Sequence, residues 1–134
     1  MTLDQSHIQY QGRMHQFHNF TNLQFGRMRP IDIDGFLEIR NKLFIFVENK
    51  SIGAPFGGAQ RVALERLVDA IDSEDKFAYC IIARHDTPVG QDVDAGNSMV
   101  DIYRHNKNWI DISTLEYTVH DFIQSLIKLH TPNL

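Results

Sequence analysis

The segment DGFLEIRNKLFIFVENKSIGAPFGGAQ, residues 34–60, decides the fold. An acidic residue, Asp34, opens a predicted hairpin of two strands, residues 35–40 and 43–50. Residues 43–47 are five apolar positions rich in aromatic and branched types, as in a strand covered on both faces. The second strand closes on Glu48-Asn49-Lys50, a glycine-rich turn follows, and a helix over 59–72 places Gln60 in its first turn. Side chains alternate along a strand, so Glu48 and Lys50 share a face. A carboxylate beside an ammonium at the end of an apolar strand is costly unless it has a partner or a task. Whether Asp34 joins them is a matter of parity. A strict two-residue turn would pair Asp34 with Asn49 and turn it to the opposite face. A three-residue loop, Arg40-Asn41-Lys42 with Asn41 left-handed, or a bulge at Gly35, would bring Asp34 to Glu48.

Downstream, the helix over 59–72 turns Gln60, Ala63, Leu64, Leu67, Val68 and Ile71 inward. Arg61, Glu65, Arg66 and Asp69 take its other face. Residues 77–83 read as a central strand parallel to its neighbour, because a helix precedes them. Residues 85–97, HDTPVGQDVDAGN, form a loop long enough to be functional or mobile. Strands are expected over 98–104 and 109–112. Ser113 with Glu116 reads as the capping box of a last helix with Leu115, Val119, Phe122, Ile123, Leu126 and Leu129 on its apolar face. Upstream, a helix over 4–17 and a short strand over 23–28 complete the chain, with Pro30 as a strand edge or break.

The 134 residues suffice for a single domain over 1–134 with a real core. The N-terminus lacks a signal-peptide pattern and no apolar run approaches ~20 residues, so a cytoplasmic, non-membrane protein is expected. The single cysteine, Cys80, excludes an internal disulfide and reads as a buried thiol. A formal net charge of −4 argues against a broad nucleic-acid surface and confines any such contact to a local patch.

The order of helix, strand, strand after Asp34, strand ending in Glu48-Asn49-Lys50, helix with Gln60, strand resembles the core of the PD-(D/E)XK nuclease superfamily. That superfamily includes restriction endonucleases, Holliday-junction resolvases and small phage and prophage nucleases. The resemblance covers roughly residues 20–85. Ile33-Asp34 stands where the motif opens, and Glu48-x-Lys50 follows fourteen residues on. It implies an α/β fold, an α-β-β-β-α-β core whose mixed central sheet is flanked by helices. It also implies a nuclease that hydrolyses DNA phosphodiester bonds with Mg²⁺ or Mn²⁺. In that reading Asp34, Glu48 and the backbone carbonyl of Asn49 hold the metal, Lys50 activates the attacking water, and Gln60 positions the motif. Members often add a glutamate from the first helix, yet residues 1–31 hold Asp4 as their only acidic residue. Asp32 and Glu38 alternate onto Asp34's face, and either could substitute for that glutamate or simply be solvated.

Arg27, Arg29, Arg40, Lys42, Lys50, Arg61 and Arg66 make a basic set around the motif, of which Arg40, Lys42 and Arg61 are expected to contact DNA. The other reading is a solvated mix of charges. A nuclease of this size that cuts both strands would act as a homodimer, with no interface readable in the residues. Other motifs are weaker. His15 and His18 sit at helical spacing without a third zinc ligand. Residues 53–58 lack the Gly-Lys-Ser/Thr of a phosphate loop, although amides opening the next helix could hold one phosphate. Asp86, Asp92 and Asp94 do not have calcium-loop spacing. The alternative function is a catalytically impaired nucleic-acid-binding or protein-interaction module of a mobile element; an unrelated non-catalytic α/β domain comes third.

Overall fold

A computed structural model describes residues 19–133 of the chain. The chain divides into two compact units, residues 1–31 and 32–134, each described by itself. In the first, Thr21–Leu23 form a single 3₁₀ turn. The strand expected over 23–28 is instead a tight reversal, with Phe25 bridged to Met28 across Gly26 at φ 65°. A left-handed glycine turns the chain back before a ladder can extend. The helix expected over 4–17, with His15 and His18, lies outside the described residues.

The second unit is an α/β fold around a five-stranded mixed sheet in the order β1-β2-β3-β4-β5. Its strands are β1 (Gly35–Ile39), β2 (Leu43–Ser51), β3 (Phe77–His85), β4 (Met99–His105) and β5 (Asn108–Asp111). Two helices, α1 (Gly58–Ile71) and α2 (Val119–His130), cover it. β2 and β3 run parallel, nine residues in register from Leu43↔Phe77 to Ser51↔His85, as a strand–helix–strand connection requires. The other pairs are antiparallel.

Alternation along β2 and β3 divides the core. Leu43, Ile45, Val47, Tyr79, Ile81 and Ala83 pack beneath Val119, Phe122 and Leu126 of α2. Phe46, Ala78, Cys80 and Ile82 pack beneath Leu64 and Val68 of α1. Cys80 is fully buried and burial pushes its thiol up to about 12, which leaves it unreactive.

Two side-chain expectations for the helices are corrected. Ser113–Leu115 are a 3₁₀ turn and Glu116 is left-handed at φ 57°. Ser113 Oγ donates to Asp111 Oδ1 (2.7 Å), so it caps nothing downstream. Thr118 caps α2 instead, accepting from the Asp121 amide. Residues 117–119 are held against β4, where the Val100 amide donates to Tyr117 O and the Val119 amide to Ser98 O. Leu115 and Leu129, expected on the apolar face of the last helix, are exposed. On α1, Leu67, expected to face inward, is 37% exposed, and Glu65 and Asp69 on the other face take partners from the sheet. Trp109 Nε1 donates to Glu65 (2.5 Å), and Arg104 grips Asp69 through Nε (2.9 Å) and Nη2 (2.7 Å).

Among the described residues no helix is long and apolar enough to cross a membrane. Ile81 is fully buried in the central strand whereas Val89 is wholly exposed in the 85–97 loop. Ile81→Ala is expected to cost roughly 2–5 kcal/mol in urea unfolding, and Val89→Ala less than about 0.5 kcal/mol.

Candidate active site

The hairpin turn settles the parity question. Ile39 pairs with Leu43 and Gly35 with Val47, so the loop is Arg40-Asn41-Lys42, an odd number of residues. Arg40 (φ 50°) and Asn41 (φ 58°) are both left-handed, and the Glu38 carboxylate accepts from the Asn41 amide. Extending the register by one pair puts Asp34 opposite Glu48, on the α1 face with Lys50. Asp34 Oδ2 accepts from the Asn49 amide at 2.8 Å. Glu38 is thus spent on the turn, and Asp32 makes no contact that brings it to the pair.

Four of the sequence-predicted residues meet at the carboxyl ends of the parallel strands, where α/β sheets commonly bind ligands. Glu48 is 5% exposed although its side chain is ionisable. Its Oε1 lies 3.9 Å from Lys50 Nζ, and Oε2 is buried without a hydrogen-bond partner. Lys50 Nζ donates to Gln60 Oε1 at 2.9 Å, and the Gln60 amide also reaches the Glu48 carboxyl. Gln60 gets there because Gly57 and Gly58 let α1 begin directly after the turn, Gly58 with φ 64°.

Burial, then the charge of Asp34 and its hydrogen bond, push the Glu48 carboxyl up to about 7, against the opposing pull of Lys50 and Gln60. A buried carboxyl beside a second carboxyl, with one orphaned oxygen, fits a hard divalent cation, which takes oxygen ligands. The Asn49 amide points to the β1 side, and along a strand its carbonyl points the same way, beyond the end of β1. That carbonyl is a third oxygen donor. Among the described residues no cluster of three or more His, Cys, Asp or Glu side chains could hold a metal. The remaining ligands of a cation here would be water or substrate oxygens. On the α2 face, Asn49 Nδ2 donates to Ser98 Oγ (2.9 Å) and its Oδ1 is buried and unpartnered.

Of the three residues expected to contact DNA, two lie away from the carboxylates. Arg40 and Lys42 sit at the hairpin turn, six residues or about 20 Å down β2 from Glu48. There Lys42 Nζ donates to Asp75 O. Arg61, next to Gln60, lies over Trp109 and Phe56 (5.0 and 5.6 Å) and pairs with Glu65 at 3.5 Å. A residue the sequence reading missed does belong here. Arg84 pairs with Lys50 across β2–β3, binds Asp101 at 3.1 Å, and donates to the carbonyls of Ser51 (3.2 Å) and Ala54 (2.5 Å). It pins the turn that delivers α1 and Gln60. An arginine ending an apolar strand was the available signal. In the 85–97 loop, Asp94 caps the 3₁₀ turn Ala95–Asn97 rather than joining Asp86 and Asp92.

Comparison with protein-family models, with curated proteins and with solved structures returned no match.

The raised Glu48 pKa fixes a sign. Between pH 4.5 and about 7 the folded chain holds a proton that the unfolded chain has released, so stability falls as pH rises through that window and is level above it. Glu48→Gln should remove that slope. Unfolding free energies from urea titration are expected to coincide below the window and to favour Glu48→Gln by roughly 1–3 kcal/mol above it.

Proposed function

We propose that this chain is a metal-dependent nuclease of the PD-(D/E)XK kind, hydrolysing DNA phosphodiester bonds. The observation that carries the reading is the meeting of Asp34, Glu48, Lys50 and Gln60 on one face, through a three-residue turn that did not have to be odd. Asp34, Glu48 and the Asn49 carbonyl would hold Mg²⁺ or Mn²⁺, which supplies Lewis acidity toward a phosphoryl oxygen and lowers the pKa of water. Glu48 gives up its proton to serve, so binding weakens as pH falls below about 7. Lys50, held by Gln60 at 2.9 Å, presents a positive charge beside the carboxylates, where it orients the attacking water and offsets charge building on the phosphate. Lysine suits this place as a compact point charge. Arg61 is the one basic side chain of the expected DNA-contact trio on the first turn of α1, beside Gln60.

A second reading, the non-catalytic nuclease-fold module, is favoured by the distance of Arg40 and Lys42 from the site and by its having, among the described residues, two carboxyls and no cluster of three.

Titration calorimetry with Mn²⁺ and cleavage of linear, nicked and branched DNA separate the two. Asp34→Ala should lose both cation binding and cleavage. Lys50→Ala should bind Mn²⁺ within about tenfold of wild type and lose about 10²–10³ in cleavage rate, as for a group acting in the transition state. Equal, chelator-insensitive cleavage in all three proteins would exclude the site. DNA binding by the wild type without cleavage would establish the second reading.

A further inference from the structure

β1 is an edge of the sheet, and among the described residues it pairs with β2 alone. A bare edge presents unpaired amides and carbonyls to any other strand. β1 is short and carries one charge, Glu38, but it has no proline, no lysine and no bulge in its five pairs. It exposes Phe36 (53%) and Leu37 (43%). Which groups are free follows from the ladder. The Asn49 amide turns to the β1 side, whereas Lys42 O and the Ile52 amide turn to β3. Odd residues of β2 therefore bond β1 through residues 35, 37 and 39, which leaves Phe36 and Glu38 with outward backbone groups.

We infer that two copies of this chain pair β1 against β1, antiparallel about a two-fold axis, in one continuous sheet. Outward groups must meet outward groups, which allows three central registers. Centred on Phe36, the pairing sets Asp34 against Glu38. Centred on Glu38, it sets that carboxylate against its own copy. Centred on Leu37, it sets Phe36 against Glu38 and brings Arg40 beside Asp34 of the partner subunit, twice by symmetry. Only the last joins opposite charges and opposes no like ones. It also places Leu37 against Leu37 at a position without backbone bonds, where side chains come closest. Leu37 lines an apolar groove of about 290 Å³ between β1 and α2, with Val47, Val119 and Ile123. The two-fold joins the grooves of both copies.

This pairing gives Arg40 a place. Within one chain it lies at the wrong end of β2; across the axis it reaches the partner's Asp34. There the guanidinium offers a bidentate contact to a DNA phosphate, a use that rests on the nuclease reading, while the interface itself does not.

The test is sedimentation velocity of the full chain over a micromolar concentration series, with cysteine variants under mild oxidation. Native Cys80 is fully buried and stays silent. The wild type is expected to sediment as a concentration-dependent dimer. Leu37→Cys should give a disulfide-linked dimer; Phe36→Cys and Glu38→Cys should each fail alone and succeed when mixed. Arg40→Glu should raise the dimer Kd about tenfold. A monomer throughout, with Leu37→Cys cross-linking no faster than Val89→Cys, overturns the interface. Cross-linking of Phe36→Cys alone overturns the register. Mn²⁺ binding by a chain that stays monomeric would sink the dimer and spare the site; a cross-linked Leu37→Cys dimer without Mn²⁺ binding would do the reverse.

Discussion

The parallel pairing of β2 with β3 sets the terms for everything else. Nine residues of each strand are in register, and helices cover both faces. Water is excluded along this pair, so a polar group placed on it must find partners at once or be held neutral. Glu48 is the one charged residue type that is buried in this core, and it sits where the pair ends. Asp34, Lys50 and Gln60 are the groups the fold brings within its reach, and together they do not satisfy it: Oε2 remains unpartnered. Replacing such a cluster with apolar residues of similar volume would be neutral or stabilising on general grounds. A fold that keeps it accepts a stability penalty at a site open to ligands, the usual mark of a functional position.

The odd turn matters as much as the strand. Had Ile39 been joined to Leu43 by two residues, Asp34 would face α2 and Glu48 would stand alone. Two consecutive left-handed non-glycine residues, Arg40 and Asn41, carry the reversal, which the Lys42 amide closes on Ile39 O, and Glu38 offsets part of their strain by accepting from the Asn41 amide. The acidic residue that seemed a substitute metal ligand thus supports the geometry that lets Asp34 serve.

What the sequence made legible follows from which signals are local. The apolar runs at 43–47 and 77–83 and the 3.6-residue period of α1 identify elements whose environment is written in their own residues. Parity reduced the turn to two solutions, and the structure adopts one. Illegible features depend on partners distant in sequence. Thr118 rather than Ser113 caps α2 because β4 holds residues 117–119 in an extended bridge, and nothing within 113–118 encodes that contact. Arg84 matters because of where residues 51 and 54 fall after the chain has turned. Arg40 and Lys42 lie between Asp34 and Glu48 in sequence, yet a hairpin carries the middle of a segment farthest from its ends. Sequence proximity to a motif therefore misleads when the motif spans a hairpin.

The fold holds the two carboxyls with unequal firmness, and this shapes how a cation would bind. Glu48 is fixed on a central strand and costs mainly a proton: below about pH 7 each unit of pH should weaken a ligand that needs it ionised by up to tenfold. Asp34 is exposed, one residue ahead of an edge strand, and is steered by the Asn49 amide and its contact with Glu48. Its cost is ordering rather than charge. Anything that stiffens β1 lowers that cost. A second strand on the free edge would do so and, through the partner's Arg40, would also balance charge at Asp34. Cation binding would in turn favour the ordered edge. By linkage each event strengthens the other by the same factor. On that reading the β1 edge and the buried carboxylate would be two ends of one device, with β1 as the element that both bias.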